Sequence, residues 1–348
     1  MQKKVKFGIV GTGAIAVRHA EALISGKNIE LETVFDKNQE RSEAFAEKYN
    51  ARSINDFTSF INDPSIDAIT IATPTGIHMD IAVPAAQAGK HILCEKPLDI
   101  NLERANAIID ACNENNVLLS AVFQARYCPD VQLAKKAVDS GKLGKIVFVS
   151  GQMPWFRSQE YYNSAGWRGT WALDGGGALM NQAIHLVDMM GYLGGDPAMV
   201  NAFTDIRDHV DLEVEDTAVA IIKYKNGAMG CLEATTCTAP GFSRRLEISG
   251  TKGSIVLEAD KITRWEFCEE TQEDKEIKNN SLSAKTGGSG AENPMSINAM
   301  GHRLQLEDLA EAILTGKELM LPGKEGRRAI AIICGIYESA QTGKPFIF

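Results

Sequence analysis

The sequence lacks the marks of several large protein classes. No apolar run approaches the roughly 18–20 residues that a membrane-crossing helix needs. Its seven cysteines form no CxxC pair. This odd, scattered set (Cys94, Cys112, Cys128, Cys231, Cys237, Cys268 and Cys334) reads as small reduced core thiols. Positive charge is in deficit, because 36 Lys and Arg against 45 Asp and Glu leave a net charge of −9. That sign repels phosphate backbones and anionic headgroups, so neither nucleic acid nor a membrane surface is an expected partner. Only six histidines are spread over 348 residues. With no HExxH, Walker loop or complete GxSxG elbow beside them, no metal site and no acyl-transfer nucleophile is expected. The opening segment has two early lysines but too short an apolar stretch for a secretory leader, and a cytoplasmic protein is expected.

What remains is an ordinary globular composition, 44% hydrophobic and 23% charged. A length near 350 residues, at ~150 per domain, suggests two domains. Up to about residue 121, β-branched runs at 5–10, 31–35, 68–72, 91–94 and 117–121 alternate with helical patterns at 14–25, 40–49, 77–88 and 102–113. That alternation predicts an α/β domain with a doubly wound parallel sheet, assigned to residues 1–124. A helix at 130–140 leads away from it.

Residues 125–348 read as an α+β domain with a mostly antiparallel open sheet. Strands are expected at 145–150, 219–224, 229–235, 246–249, 254–257 and 262–268, with Asn226-Gly227 as a hairpin turn. A helix is expected at 177–190, and two more at 304–314 and 326–340. The polar stretch 269–296 reads as a long surface loop or flap.

The first strand runs into Gly11-Thr12-Gly13-Ala14-Ile15-Ala16 and then a helix. This is the GxGxxA form of a dinucleotide cradle. Gly11 allows the tight turn, Gly13 lets the backbone approach a pyrophosphate, and Ala16 keeps helix and strand close. Asp36, at the end of the second strand, stands where an acid accepts hydrogen bonds from the adenosine ribose. Its charge repels a 2′-phosphate and favours NAD, while Lys37 beside it keeps NADP open. The loops of Thr73-Pro74-Thr75-Gly76-Ile77-His78 and Cys94-Glu95-Lys96-Pro97 close the next two strands. Both therefore belong at the ligand edge of such a sheet, with Gln124 and Arg126 beyond the last strand.

In the second half, Gly175-Gly176-Gly177 opens a helix on which Asn181, His185 and Asp188 share one face at helical spacing. A lysine, Lys96, and a histidine, His185, on separate domains are expected to converge on one reacting centre. The aromatic loop before the glycines holds Trp155, Tyr161, Tyr162, Trp167, Arg168 and Trp171, suited to stacking on a sugar ring and binding an anion. Of Arg244 and Arg245, at most one is expected to face the site.

Together, residues 11–16, 73–78, Glu95-Lys96-Pro97 and 175–188 resemble the glucose–fructose oxidoreductase / inositol dehydrogenase (Gfo/Idh/MocA) family. The likeness extends to residues 329–348 and so covers nearly the whole chain. It implies an N-terminal Rossmann domain and a C-terminal α+β domain whose open sheet forms a homodimer or homotetramer interface. It also implies hydride transfer between NAD(P) and a secondary alcohol or ketone of a sugar, inositol or sugar derivative. Carried to this chain, Lys96 holds the reacting oxygen and His185 moves the proton. Asn181 stands where many members carry aspartate, so His185 is expected to titrate lower than in an Asn181→Asp variant. The expected cofactor contacts are Gly11, Thr12, Gly13, Ala14, Ile15, Asp36, Lys37, Thr73, Pro74, His78, Glu95, Lys96 and Gln124. The expected substrate contacts are Lys96, Arg126, Trp167, Arg168, Asn181 and His185. Two alternatives share these residues: an enzyme that recycles its NAD while cleaving a glycoside, and a non-catalytic dinucleotide or sugar sensor.

Overall fold

The computed structural model describes residues 3–283 and 299–348. They fall into two compact units, one of Met1–Gln124 with Asn298–Arg328 and one of Ala125–Ile297 with Ala329–Phe348.

The first unit holds six strands: β1 (Val5–Val10), β2 (Ile29–Phe35), β3 (Arg52–Ser53), β4 (Ala68–Ile71), β5 (His91–Cys94) and β6 (Leu119–Ala121). Their order is β3-β2-β1-β4-β5-β6, and every pairing is parallel. The α/β expectation for this half is met, with β3 and the short helix Phe57–Ile61 added. The central strands are buried along their length because helices cover both faces, which is why they read as unbroken apolar runs.

Residues 298–328, expected in the second domain, cluster with the first unit instead. The cause is packing. Leu306, Leu309 and Ala310 of the helix Met300–Thr315 join the core formed by Val5, Phe7, Ile9 and Leu23. Gln305 Nε2 also donates to Ser120 Oγ at 2.9 Å, and Ser120 Oγ to Leu321 O at 2.9 Å.

The second unit is built on eight strands: β7 (Ile146–Pro154), β8 (Pro197–Asp205), β9 (Thr217–Tyr224), β10 (Met229–Thr235), β11 (Arg245–Gly250), β12 (Gly253–Glu258), β13 (Lys261–Phe267) and β14 (Phe346–Ile347). Their order is β13-β12-β11-β7-β10-β9-β8-β14, antiparallel throughout except for β10 on β7. Strand β8 carries no two-residue alternation strong enough to read from sequence, and it was not among the expected strands. Along β9, buried Ala218, Ala220 and Ile222 alternate with exposed Val219 and Ile221, so one face is packed and the other open.

Two expectations fail here. The helix Gln272–Ser283 occupies half of the stretch read as a loop, and residues 284–296 lie outside the described residues. Thr271 caps it, its Oγ1 accepting Asp274 N at 3.3 Å while its own N donates to Asp274 Oδ2 at 2.7 Å, and Asp274 Oδ1 accepts Trp265 Nε1 at 2.8 Å. The helix is thus held by polar anchors that a search for apolar stripes overlooks. The cysteines, too, only partly follow expectation: Cys94 and Cys112 are buried, but Cys268 is exposed.

Candidate active site

Strand β1 runs into Gly11, whose φ of +89° is open to glycine at no cost. A Cβ there would lie 2.7 Å from Ala72 O, so the turn admits only a bare backbone. The helix Ala14–Ser25 follows with no side-chain cap and no acid in its first turn. Its leading N–H groups and positive dipole end are therefore available to an anion. A Cβ at Gly13 would meet nothing within 4 Å, which leaves the approach to that end open. Thr12 is half-buried, Ala14 exposed and Ile15 half-buried beside it.

Asp36 is tied to this turn. Its Oδ2 accepts from Thr12 N and Thr12 Oγ1, both at 2.9 Å, and its Oδ1 from Asn38 N at 2.9 Å. Burial alone would raise its carboxyl, but these donors and Arg41 hold it below the usual range. The carboxylate is ionised, with an acceptor site left on Oδ1 for a ribose hydroxyl. Lys37 is exposed. At the far strand ends, Thr73 Oγ1 and Gln124 Oε1 are buried with no protein partner. An orphaned Thr73 hydroxyl beside Gly11 and an orphaned Gln124 amide oxygen beyond the last strand fit a bound dinucleotide, whose hydroxyls and amide would satisfy them. Pro74 is half-buried between them in sequence.

Two expected cofactor contacts are turned inward instead. The His78 ring is fully buried, with Nδ1 3.0 Å from Pro97 O and Nε2 3.1 Å from Thr73 O. Both nitrogens face main-chain carbonyls, so the ring lies between the 73–78 loop and the segment after Lys96. Glu95 is buried as well. Its Oε1 meets His19 Nε2 at 2.8 Å and His302 Nε2 at 3.5 Å, and its Oε2 accepts Lys96 N at 3.1 Å. Burial opposes its charge, yet the two imidazoles keep its carboxyl well below the ordinary range. Burial lowers His19, which stays neutral, donates to Glu95 and takes Thr70 Oγ1 at 2.9 Å on Nδ1. Glu95 and His78 thus brace the main chain on either side of half-buried Lys96 rather than offer ligand atoms.

In the second unit, the segment after the glycine triplet is a π-helix over Ala178–Ala183, followed by the α-helix Ile184–Gly194. The single α-helix expected at 177–190 is therefore corrected, and so is the shared face. Asp188 is buried and grips Arg126 from two sides, with Nε at 2.8 Å and Nη2 at 2.5 Å. The Arg126 guanidinium also stacks 4.4 Å from the Tyr192 ring. At 1% exposure, Arg126 is a core ion pair and not a substrate contact. Arg244 and Arg245 pair with Asp260 and Glu258, so neither is held open for a site.

Asn181 Nδ2 donates to Asp174 Oδ1 at 2.5 Å, while its Oδ1 accepts Gln182 Nε2 at 2.7 Å. The carboxylate missing at 181 is thus present one hydrogen bond away. His185 is 7% exposed. Trp167 and Arg168 are half-buried, with the Arg168 guanidinium stacked on Trp167 and on Tyr161.

Residues that sequence reasoning missed hold this helix. Buried Glu215 accepts Leu179 N at 2.8 Å and Tyr337 Oη at 3.0 Å on Oε1, and Gly177 N at 3.1 Å on Oε2. Its main-chain O accepts Ala178 N at 2.9 Å. A Cβ at Gly177 would fall 1.7 Å from that oxygen, so the close approach depends on glycine. Burial pushes Glu215 up from 4.5 to about 7. No spacing rule connects 177, 215 and 337.

Comparison with known proteins agrees with both halves. Residues 5–123 match the oxidoreductase family with an NAD-binding Rossmann fold, and residues 131–256 match the GFO/IDH/MocA C-terminal domain. The structure is similar to the WlbA dehydrogenase of Bordetella pertussis solved with NADH and UDP-GlcNAcA. The two are 32% identical with a TM-score of 0.89, over 100% of this chain and 98% of that one. Levoglucosan dehydrogenase of Pseudarthrobacter phenanthrenivorans is 35% identical over 233 residues, a match that spans 60% of each chain. Myo-inositol 2-dehydrogenase of Thermotoga maritima is 28% identical over 259 residues, 72% of this chain and 74% of that one. The chain belongs to the Gfo/Idh/MocA family of NAD-binding oxidoreductases.

Proposed function

We propose that this protein is an NAD-dependent dehydrogenase acting on a secondary alcohol of a sugar, cyclitol or sugar derivative. The substrates named for its relatives, levoglucosan, myo-inositol and a UDP-linked sugar acid, support that class. The observation that carries the reading is the pairing, in one chain of this family, of a braced lysine after β5 with a nearly buried histidine on a glycine-opened helix.

Gly11, Gly13, Asp36, Thr73 and Gln124 would hold the dinucleotide. NAD, when bound, supplies the hydride acceptor. Lys96 donates to the reacting oxygen and stabilises the negative charge that develops there. His185 takes the hydroxyl proton in oxidation and returns it in reduction. Asn181 orients the substrate or the imidazole while passing only a weakened field from Asp174. Residues 1–124 serve the cofactor, and the second domain serves substrate and assembly.

The reading also takes the protein as a cytoplasmic homodimer or homotetramer. What supports assembly is the open sheet face, where Phe203 is 76% exposed, Ile221 60% and Met229 62%.

The test is a panel of sugars and inositols with NAD and NADP separately, followed by absorbance of the reduced nicotinamide. Net NADH from at least one compound is expected, with NAD preferred. Lys96→Ala and His185→Ala should lower that rate by roughly 10²–10⁴-fold while NAD still binds. Flat traces together with cleavage of a glycoside by NAD-loaded protein would replace net dehydrogenation with the recycling reaction.

A further inference from the structure

We propose that the second unit carries a subsite for an oxyanion of the substrate, a carboxylate or a phosphoryl group, built on Arg168 and Arg157 around Tyr161. The inference rests on reading Asn181 and His185 as the reacting end.

Many arginines in this acidic chain are matched with acids, among them Arg52 with Asp63, Arg104 with Asp99 and Arg244 with Asp260. Arg168 differs. Among the described residues no carboxylate lies within ion-pair reach of it, and its Nε is buried without an acceptor. Its guanidinium is stacked 4.1 Å from the Tyr161 ring centroid and 4.5 Å from that of Trp167, with Nη1 donating to Tyr161 Oη at 2.5 Å. The planar fork is therefore fixed in place before any ligand arrives, which lowers the ordering cost of bidentate recognition.

A second guanidinium lies near the same tyrosine ring. Arg157 is 3% exposed, sits 5.5 Å from the Tyr161 ring centroid and donates to Gln182 Oε1 at 3.1 Å. Burial, reinforced by Arg168, makes it a weaker base than usual. Two cations thus share one aromatic ring. The carboxylate near them, Asp174, is engaged by Asn181 Nδ2 and Gly169 N. A guanidinium with no carboxylate in ion-pair reach, held at Arg168 beside a second one, favours an anion at Arg168.

The subsite is wired to the reacting end. Tyr161 Oη accepts from Arg168 and also from Gln182 Nε2 at 2.9 Å, and Gln182 Nε2 donates to Asn181 Oδ1 at 2.7 Å. An oxyanion on Arg168 therefore sets the position of Asn181 through two intervening side chains. The substrate class narrows from sugars in general to sugar acids and sugar phosphates.

The test is a tryptophan-fluorescence titration of the NAD-loaded protein with glucose, glucuronate and glucose 6-phosphate. Wild type should bind one of the two anions at least tenfold more tightly than glucose, and which of them wins distinguishes carboxylate from phosphoryl recognition. Arg168→Met should narrow that preference to within about threefold, and Arg168→Lys should restore part of it, with unchanged melting temperatures. Equal behaviour of the three sugars in wild type, including no binding by any, overturns the proposal. So does a preference that survives Arg168→Met. Anion preference retained in a protein that oxidises no sugar would leave the subsite standing and remove the dehydrogenase reading.

Discussion

Two glycines show how differently the two units are built around their candidate residues. At Gly11 the positive φ is a local requirement of one strand–turn–helix motif, to which Ala72 O beyond the end of β4 adds a contact that would lie 2.7 Å from any Cβ. At Gly177 φ is ordinary, and the requirement comes from Glu215, 38 residues distant in sequence. The cofactor end is made largely of main chain and is specified by a short motif. The segment proposed to move the proton is surrounded by side chains gathered from residues 157, 174, 182, 215 and 337, and its helix begins with an uncommon π-turn. Such π-turns occur often at functional sites.

Substituting the two glycines separates the ends. Gly177→Ala must push Glu215 O away and is expected to cost about 3 kcal/mol or more of stability. It should abolish turnover while the folded fraction still binds NAD, as read by calorimetry. Gly11→Ala should cost about 1–3 kcal/mol for its left-handed backbone. Its main effect should be on NAD, with affinity falling at least tenfold. If both variants lose NAD binding equally, the division of labour is wrong.

Glu215 offers a finer test through pH. Its carboxyl rises from 4.5 to about 7 on folding, chiefly through burial. A group with a raised folded value stabilises fully below its unfolded value and loses that contribution as pH climbs through the folded one. Stability attributable to Glu215 should therefore fall between about pH 4.5 and pH 7, by at most about 3 kcal/mol. Melting temperatures measured across this window should decline more steeply in wild type than in Glu215→Gln. Parallel curves would show that Glu215 does not titrate there.

The smallest effect concerns Asn181. Placing aspartate there sets a second carboxylate against Asp174, 2.5 Å from the present amide, so the two would share one proton. The simple expectation that Asn181→Asp raises the ionisation of His185 is therefore blunted. Asn181→Asp combined with Asp174→Asn leaves one carboxylate beside the helix, and should move the pH–rate profile upward more than the single variant does. Identical profiles for the two would mean that His185 does not sense position 181.

The glycine turn and Asp36 were legible because a positive φ and a partner 24 residues away belong to one short strand–helix–strand unit, and the parallel sheet because its buried strands read as apolar runs between helical patterns. Lys96 and His185 are proposed to act together on the sequence pattern around each of them. The inward turn of His78, Glu95 and Arg126 was not legible, since a polar residue beside a motif reads the same whether it faces a ligand or a buried partner. Only Asp188, 62 residues away, shows that Arg126 is already satisfied. The transfer of residues 298–328 to the first unit escaped notice for the same reason, as Leu306 and Leu309 reveal only that some core receives them.

The central claim is that His185 moves the proton. Its most direct test is the pH dependence of kcat/KM for the best sugar of the panel, in wild type and in His185→Asn with Lys96 intact. The account expects an ionisation in wild type that disappears from the variant, together with at least a hundredfold loss of kcat and little change in NAD affinity. A variant that keeps both the ionisation and a rate within threefold of wild type would contradict it.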